Sequence, residues 1–276
     1  MSPRPRPRPL SAFRRALRIG RLLAHVLHGL FILTFRFPRL RPAARRETIR
    51  RWSARLLRIA GVRLAIRGGG GAPAAGPHGT MLVLNHVSWL DVYAVLAVMP
   101  ARFVAKSEIR AWPLIGRLVS GAGTLFIERG SRRHARHTNH AIADAMRAGD
   151  VIAICPEGTT TEGDRLLPFH AALFQPAVEA GAQVLPLAVR YLDAHGDPTL
   201  AAAYVGDTSL ASSVWQVVGA RGLSVELRFG EEIAAGGADR RDLARRSEQA
   251  IAGALGVPAP RHRAPHTAPH PPAASQ

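Results

Sequence analysis

Four short blocks of this 276-residue chain combine side chains able to move protons or hold anions with a place just after an apolar run. The first is Asn85-His86, with Asp91 five residues past the histidine, following Met81-Leu-Val-Leu84. An imidazole with a carboxylate one helical turn further on makes a general base whose tautomer the acid fixes. Taken alone the pair is a weak signal, because a core histidine bonded to a helix-capping residue has the same spacing. The second block, 123–129, ends in Arg129, whose guanidinium is a forked donor suited to phosphate. The third, 155–163, reads Cys-Pro-Glu-Gly-Thr-Thr-Thr-Glu-Gly and offers the Glu157 carboxylate, hydroxyls and the free N–H groups of a turn. The fourth is Leu185-Pro186, where a proline interrupts an apolar strand and implies a bulge or an edge. Lys106 stands apart as the one lysine among thirty-six arginines, either residual codon usage or a position that requires a compact ammonium.

Positioning these groups requires strands that end where helices begin. Apolar runs predict strands over 62–66, 81–84, 102–105, 124–127, 151–155, 183–189, 203–205 and 223–229. Helical signals fall between most of them, over 90–99, 112–120, 132–147, 171–180, 210–218 and 239–254. That alternation predicts an α/β fold, a mainly parallel central sheet covered by helices. Open crevices at the carboxyl ends of such strands are where ligands bind, and each of the four blocks lies there.

The charge is concentrated at the start of the chain. Residues 1–67 hold eighteen arginines against the single acid Glu47, so almost all of the net +18 belongs to the first quarter. Residues 1–10 alternate Pro and Arg and are expected to form a disordered basic arm. Residues 11–67 are expected to form two basic amphipathic helices, the second with Ile49, Trp52, Leu56 and Ile59 on one face. The apolar run 22–35 has fourteen residues, short of the roughly 20 that span a bilayer. A cleaved signal lacks a small-residue cleavage site here, and a nucleic-acid arm lacks interleaved stacking aromatics. A solvated face packed on its own domain also competes. The reading adopted is attachment to an anionic membrane surface, with no nucleic-acid partner. A Gly/Ala/Pro loop then opens a domain over 68–257, and 258–276, rich in Pro and His, is expected to be a disordered tail with no metal site. The lone Cys155 excludes an internal disulfide and is expected to be a buried, inert thiol.

In order and spacing, Asn85-His86-x4-Asp91, Phe126-Ile-x-Arg129, Pro156-Glu-Gly-Thr159 and Leu185-Pro186 resemble the four motifs of the glycerolipid acyltransferase family. Lys106-Ser-Glu108, Trp112-Pro-x-x-Gly116 and the basic N-terminus resemble it too. The resemblance implies a glycerolipid acyltransferase fold and transfer of an acyl chain from an acyl-CoA or acyl-carrier-protein thioester to the hydroxyl of a lysolipid. No metal or other cofactor is implied. His86, Asp91 and Lys106 would be catalytic, the lysine stabilising an oxyanion. Asn85, Arg129, Glu157, Gly158 and Thr159 would hold the acceptor. The implied location is the cytoplasmic face of the inner membrane. The acceptor first indicated is 1-acyl-sn-glycerol-3-phosphate. However, relatives using a phosphate-bearing acceptor continue the third motif with Arg, and Thr160 stands there. That departure resembles enzymes acting on lyso-ornithine lipid, which is the alternative acceptor. A membrane-binding protein on a degenerate scaffold is the non-catalytic alternative.

Overall fold

The computed structural model describes residues 9–67, 79–127 and 132–261, without the side chains of 132–135. The expected strands 81–84 and 151–155 form β2 (Thr80–Leu84) and β5 (Val151–Ile154), both buried on two faces as uninterrupted apolar runs demand. The other strands are β1 (Arg63–Arg67), β3 (Arg102–Lys106), β4 (Leu125–Ile127), β6 (Gln183–Leu192), β7 (Ser224–Phe229) and β8 (Ile233–Ala234). Among the described residues they make one eight-stranded sheet in the order β1-β7-β6-β2-β5-β3-β4, with β8 beside β6. Pairing is parallel except where β6 meets β7 and β8. The expected mainly parallel α/β architecture is therefore present.

Period-two alternation divides the core into two layers. Leu82, Leu84, Leu185, Leu187, Val189 and Tyr191 face one side. That side is covered by α1 (Ala12–Phe31), α2 (Pro42–Ala60), α3 (Leu90–Leu96) and α7 (Leu210–Gly219). Met81, Val83, Ile152, Ile154 and Val184 face the other, under α5 (Arg132–Arg147), α6 (Gln175–Ala180) and α8 (Arg240–Leu255). Each fully buried aliphatic side chain contributes about 1.5–3 kcal/mol. The short α4 (Ile115–Gly121) closes the edge near β3.

Three expectations need correction. The boundary at 67/68 does not separate two folding units, because β1 pairs in parallel with β7 and α1 and α2 bury one face on the core. Residues 203–205 form no strand, because their hydrogen bonds go to loops: Tyr204 N–H donates to Val87 O (2.9 Å), and Thr160 Oγ1 donates to Tyr204 O. Pro186 lies not at an edge but inside central β6, beside Val83 of β2, at a bulge-like break where residues 230–232 stand opposite Leu185 and Pro186. It is tolerated because β7 pairs up to Leu187 and β8 only from Val184, so no ladder partner stands opposite its missing N–H.

The apolar N-terminal helix is also longer than the run of fourteen suggested. A π-helical turn (Ile32–Arg36) and a 3-10 turn (Phe37–Arg39) extend α1, so Ala12–Arg39 is one helical stretch of 28 residues, long and apolar enough to cross a membrane. Its inner face is fastened to the domain. The Arg18 guanidinium donates to the carbonyls of Ala60 (3.4 Å) and Val218 (2.9 Å), capping the ends of α2 and α7. His25 Nε2–H donates to Trp52 O (3.0 Å) and Trp52 Nε1–H to His25 O (3.2 Å), with the rings stacked at 4.6 Å. A Cβ at Gly29 would lie 2.8 Å from Trp52 Nε1, so only glycine lets the helices approach this closely. The outer face leaves Phe13, Leu17, Leu27, Phe31 and Phe35 exposed.

Candidate active site

Where β2 ends, the chain passes through 85–89 into α3, and the turn folds around one carboxylate. Asp91 is fully buried, and its Oδ2 accepts from His86 Nδ1–H (2.8 Å) and from the backbone N–H groups of Val87 (2.8 Å) and Ser88 (2.9 Å). Its Oδ1 accepts from the Tyr191 hydroxyl at 2.7 Å. A buried carboxylate with this many donors is fixed in place and orients the imidazole. The His86 side chain is a quarter exposed, so the dyad has a wet end and a dry end. Burial by itself opposes protonation of the ring, but the Cys155 sulfur and the Asp91 carboxylate outweigh it and hold the His86 pKa well above the usual histidine range.

Two residues expected to touch substrate stand behind the dyad instead. Asn85 has no exposed surface; its Nδ2–H donates to Val189 O (3.0 Å) and its Oδ1 accepts from Val189 N–H (2.7 Å), tying the end of β2 to β6. Asn85→Ala would leave both Val189 groups unsatisfied, so the expected loss is about 2–5 kcal/mol of stability, readable as a lower urea midpoint. Glu157 is buried, and its two oxygens accept from His86 N–H (2.8 Å) and Leu167 N–H (2.9 Å). Burial pushes its pKa up to about 7, against the lowering effect of those N–H donors. Both residues are therefore braces rather than binding groups. A polar side chain after a strand looks the same in sequence whether it meets ligand or backbone.

What remains of the third block is mixed, with Thr159 and Glu162 exposed and Pro156 and Thr161 buried. Gly158, at φ 71°, closes the turn through its N–H to Cys155 O (3.1 Å), and a Cβ there would lie 3.2 Å from the His170 ring. Thr159 is exposed, Thr160 is held by the Tyr204 carbonyl, and Thr161 N–H donates to His86 O (2.8 Å). Cys155 is half-buried and close enough to His86 to bias its proton, so the expectation of a buried, inert thiol is replaced by a thiol beside the base. Lys106 ends β3, with β5 between β3 and β2, and its exposed side chain makes no hydrogen bond or ion pair with any described residue. The structure does not bring it into contact with the dyad. Arg129, like His262, His266 and His270 of the tail, lies outside the described residues.

Tyr191 is the site residue that sequence reasoning missed. One signal was present: it continues the alternation Leu185, Leu187, Val189 onto a buried face, where a phenol requires a hydrogen-bond partner. On the same side of the sheet, behind α3, lies an apolar cavity of about 650 Å³ including its open mouth. Leu33, Trp52, Val92, Tyr93, Phe103 and Leu118 are among its walls, contributed by the N-terminal helices, α3, β3 and α4.

Comparison with known proteins places the fold and the sequence in a family. The model of the acyltransferase family matches residues 70–190. A lyso-ornithine lipid O-acyltransferase from Pseudomonas aeruginosa is 40% identical over 259 residues, covering 91% of this chain and 97% of that protein. This chain belongs to the glycerolipid acyltransferase family. A 1-acyl-sn-glycerol-3-phosphate acyltransferase from Neisseria gonorrhoeae is 42% identical over 153 residues, 55% of this chain, and the match spans only 60% of that relative's length. The crystal structure of the 1-acyl-sn-glycerophosphate acyltransferase PlsC from Thermotoga maritima superposes with a TM-score of 0.61 at 20% identity, covering 87% of this chain and 96% of that one. The family's fold thus extends over nearly the whole chain, N-terminal helices included.

Proposed function

We propose that this protein is a membrane-surface O-acyltransferase that moves a fatty acyl chain from a thioester donor, acyl-CoA or acyl carrier protein, to the free hydroxyl of a lysolipid. The observation that carries the reading is an imidazole, a quarter exposed and oriented by a buried carboxylate, in the turn leading into the helix α3 that also walls an apolar cavity. His86 Nε2, the nitrogen Asp91 leaves for chemistry, takes the acceptor's hydroxyl proton as that oxygen attacks the thioester carbonyl. The tetrahedral intermediate collapses, the carbon–sulfur bond breaks, and the departing thiolate takes the proton back from His86. Asp91 stabilises the transient imidazolium. The cavity shelters the acyl chain, and the rim at Gly158 and Thr159 meets the acceptor's head. Lys106 and Arg129 are assigned as the cationic groups for the oxyanion and the head, respectively. No metal or bound cofactor is needed for this sequence of steps.

The exposed apolar face of α1, on a segment dense in arginine, supports a position in the interface of an anionic bilayer, where acceptor and product both reside. We place it at the cytoplasmic face of the inner membrane. For the acceptor, lyso-ornithine lipid is favoured over the 1-acyl-sn-glycerol-3-phosphate first indicated. The similarity to a lyso-ornithine lipid enzyme runs almost end to end, and Thr160 offers no cation, its hydroxyl being engaged by the Tyr204 carbonyl. The phosphate-bearing acceptor stays as a second reading because the Neisseria enzyme is 42% identical, over a shorter match of 153 residues. Thiol release from acyl-CoA and from acyl carrier protein, measured with each lysolipid in mixed micelles, tests both. Release only with lyso-ornithine lipid supports the first acceptor and release only with lysophosphatidate the second. Failure with every donor and acceptor would leave a non-catalytic membrane-binding protein.

A further inference from the structure

Asp91 answers to a second side chain besides its histidine. Oδ2 is crowded by His86 and two backbone N–H groups, whereas Oδ1 receives the Tyr191 hydroxyl at 2.7 Å across 100 residues of sequence. Tyr191 is 3% exposed and stands in register with Val225 of β7. Two residues earlier on β6, Val189 is locked to Asn85 by reciprocal hydrogen bonds. The phenol is therefore held at a set height relative to the turn that carries His86, and it does not depend on a flexible loop. Burial first, then the adjacent Asp91 charge, push the Tyr191 pKa well above 10, so the hydroxyl remains a neutral donor.

We propose that Tyr191 is a positioning residue that sets the basicity of the His86–Asp91 pair, a role that rests on the acyl-transfer reading above. Each donor to a carboxylate spreads its charge and weakens its hold on the others. The tyrosine thereby restrains the carboxylate's pull on the imidazole proton and keeps His86 able to act as a base. The other groups facing the pair are the Cys155 sulfur from the end of β5, the Glu157 carboxylate under the His86 amide, and the Ser88 hydroxyl beside the phenol. None of these touches Asp91 Oδ1 among the described residues.

The test is the pH dependence of kcat/KM for the full-length protein in mixed micelles of donor and lysolipid, with Tyr191→Phe and with 3-fluorotyrosine at 191. Loss of the hydroxyl leaves a hungrier carboxylate, so the acid limb of Tyr191→Phe should move to higher pH by about half a unit to one unit. Below that limb the rate falls roughly threefold to tenfold. The fluorinated phenol, a stronger donor, should move the limb the other way. A limb that stays in place in both variants, whatever happens to the rate, overturns the proposal and makes Tyr191 a packing residue. His86→Ala serves as the separate control: activity surviving there would refute acyl transfer through His86 itself.

Discussion

Replacing His86 with alanine is expected to lower acyl transfer by about 10²–10⁴-fold, with little change in thermal midpoint. The ring is partly exposed, and its partner Asp91 keeps three other donors in the variant. The thiol-release assay reads the first quantity and circular dichroism the second. Near-parental transfer by a folded His86→Ala protein would remove the base from the proposed reaction.

Asp91 is expected to show the largest combined effect. Asp91→Ala would strand the Tyr191 hydroxyl and the Val87 and Ser88 N–H groups in the interior. At about 1–3 kcal/mol for each unsatisfied group, many preparations of that variant should be unfolded at growth temperature. Asp91→Asn keeps the shape but loses the charge and the tautomer control, with transfer expected to fall by about 10³-fold or more. The pH profile carries a separate signature. The base must be neutral to work, and the parent His86 pKa lies well above 6.5, so activity should rise with pH through a midpoint on the alkaline side of ordinary histidine. Without the carboxylate the proton is held less tightly, and the residual activity of Asp91→Asn should have its acid limb at lower pH. A limb at the parental position would mean that the titrating group is not His86.

The reaction centre was legible because its parts are local. A strand-to-helix turn brings residues five apart in sequence within hydrogen-bonding distance, so the His86–Asp91 pair needs no knowledge of tertiary structure. The buried strands β2 and β5 were legible for the same reason, each an unbroken apolar run. The partners of Asp91 and Asn85 were not, because Tyr191 and Val189 lie about a hundred residues away and meet them only through the β2–β6 pairing. Glu157 was placed in the right neighbourhood with its direction reversed, since loop composition cannot distinguish a carboxylate that faces solvent from one that caps a buried amide. Residues 203–205 looked like a strand from their apolar character, yet their backbone groups found partners in the loops around the site.

The fastening of α1 bears on how the proposed enzyme would ride a bilayer. Because Arg18 closes the ends of two other helices and His25 and Trp52 bond each other reciprocally, the segment with the exposed apolar face is a keel rather than a tether. On the proposed reading, the height and tilt at which the mouth of the site would meet the headgroups are then built into the folded body. Trimming the first sixty residues would uncover Leu82, Leu84 and their neighbours, yielding inclusion bodies where a tethered design would yield a free-floating catalyst.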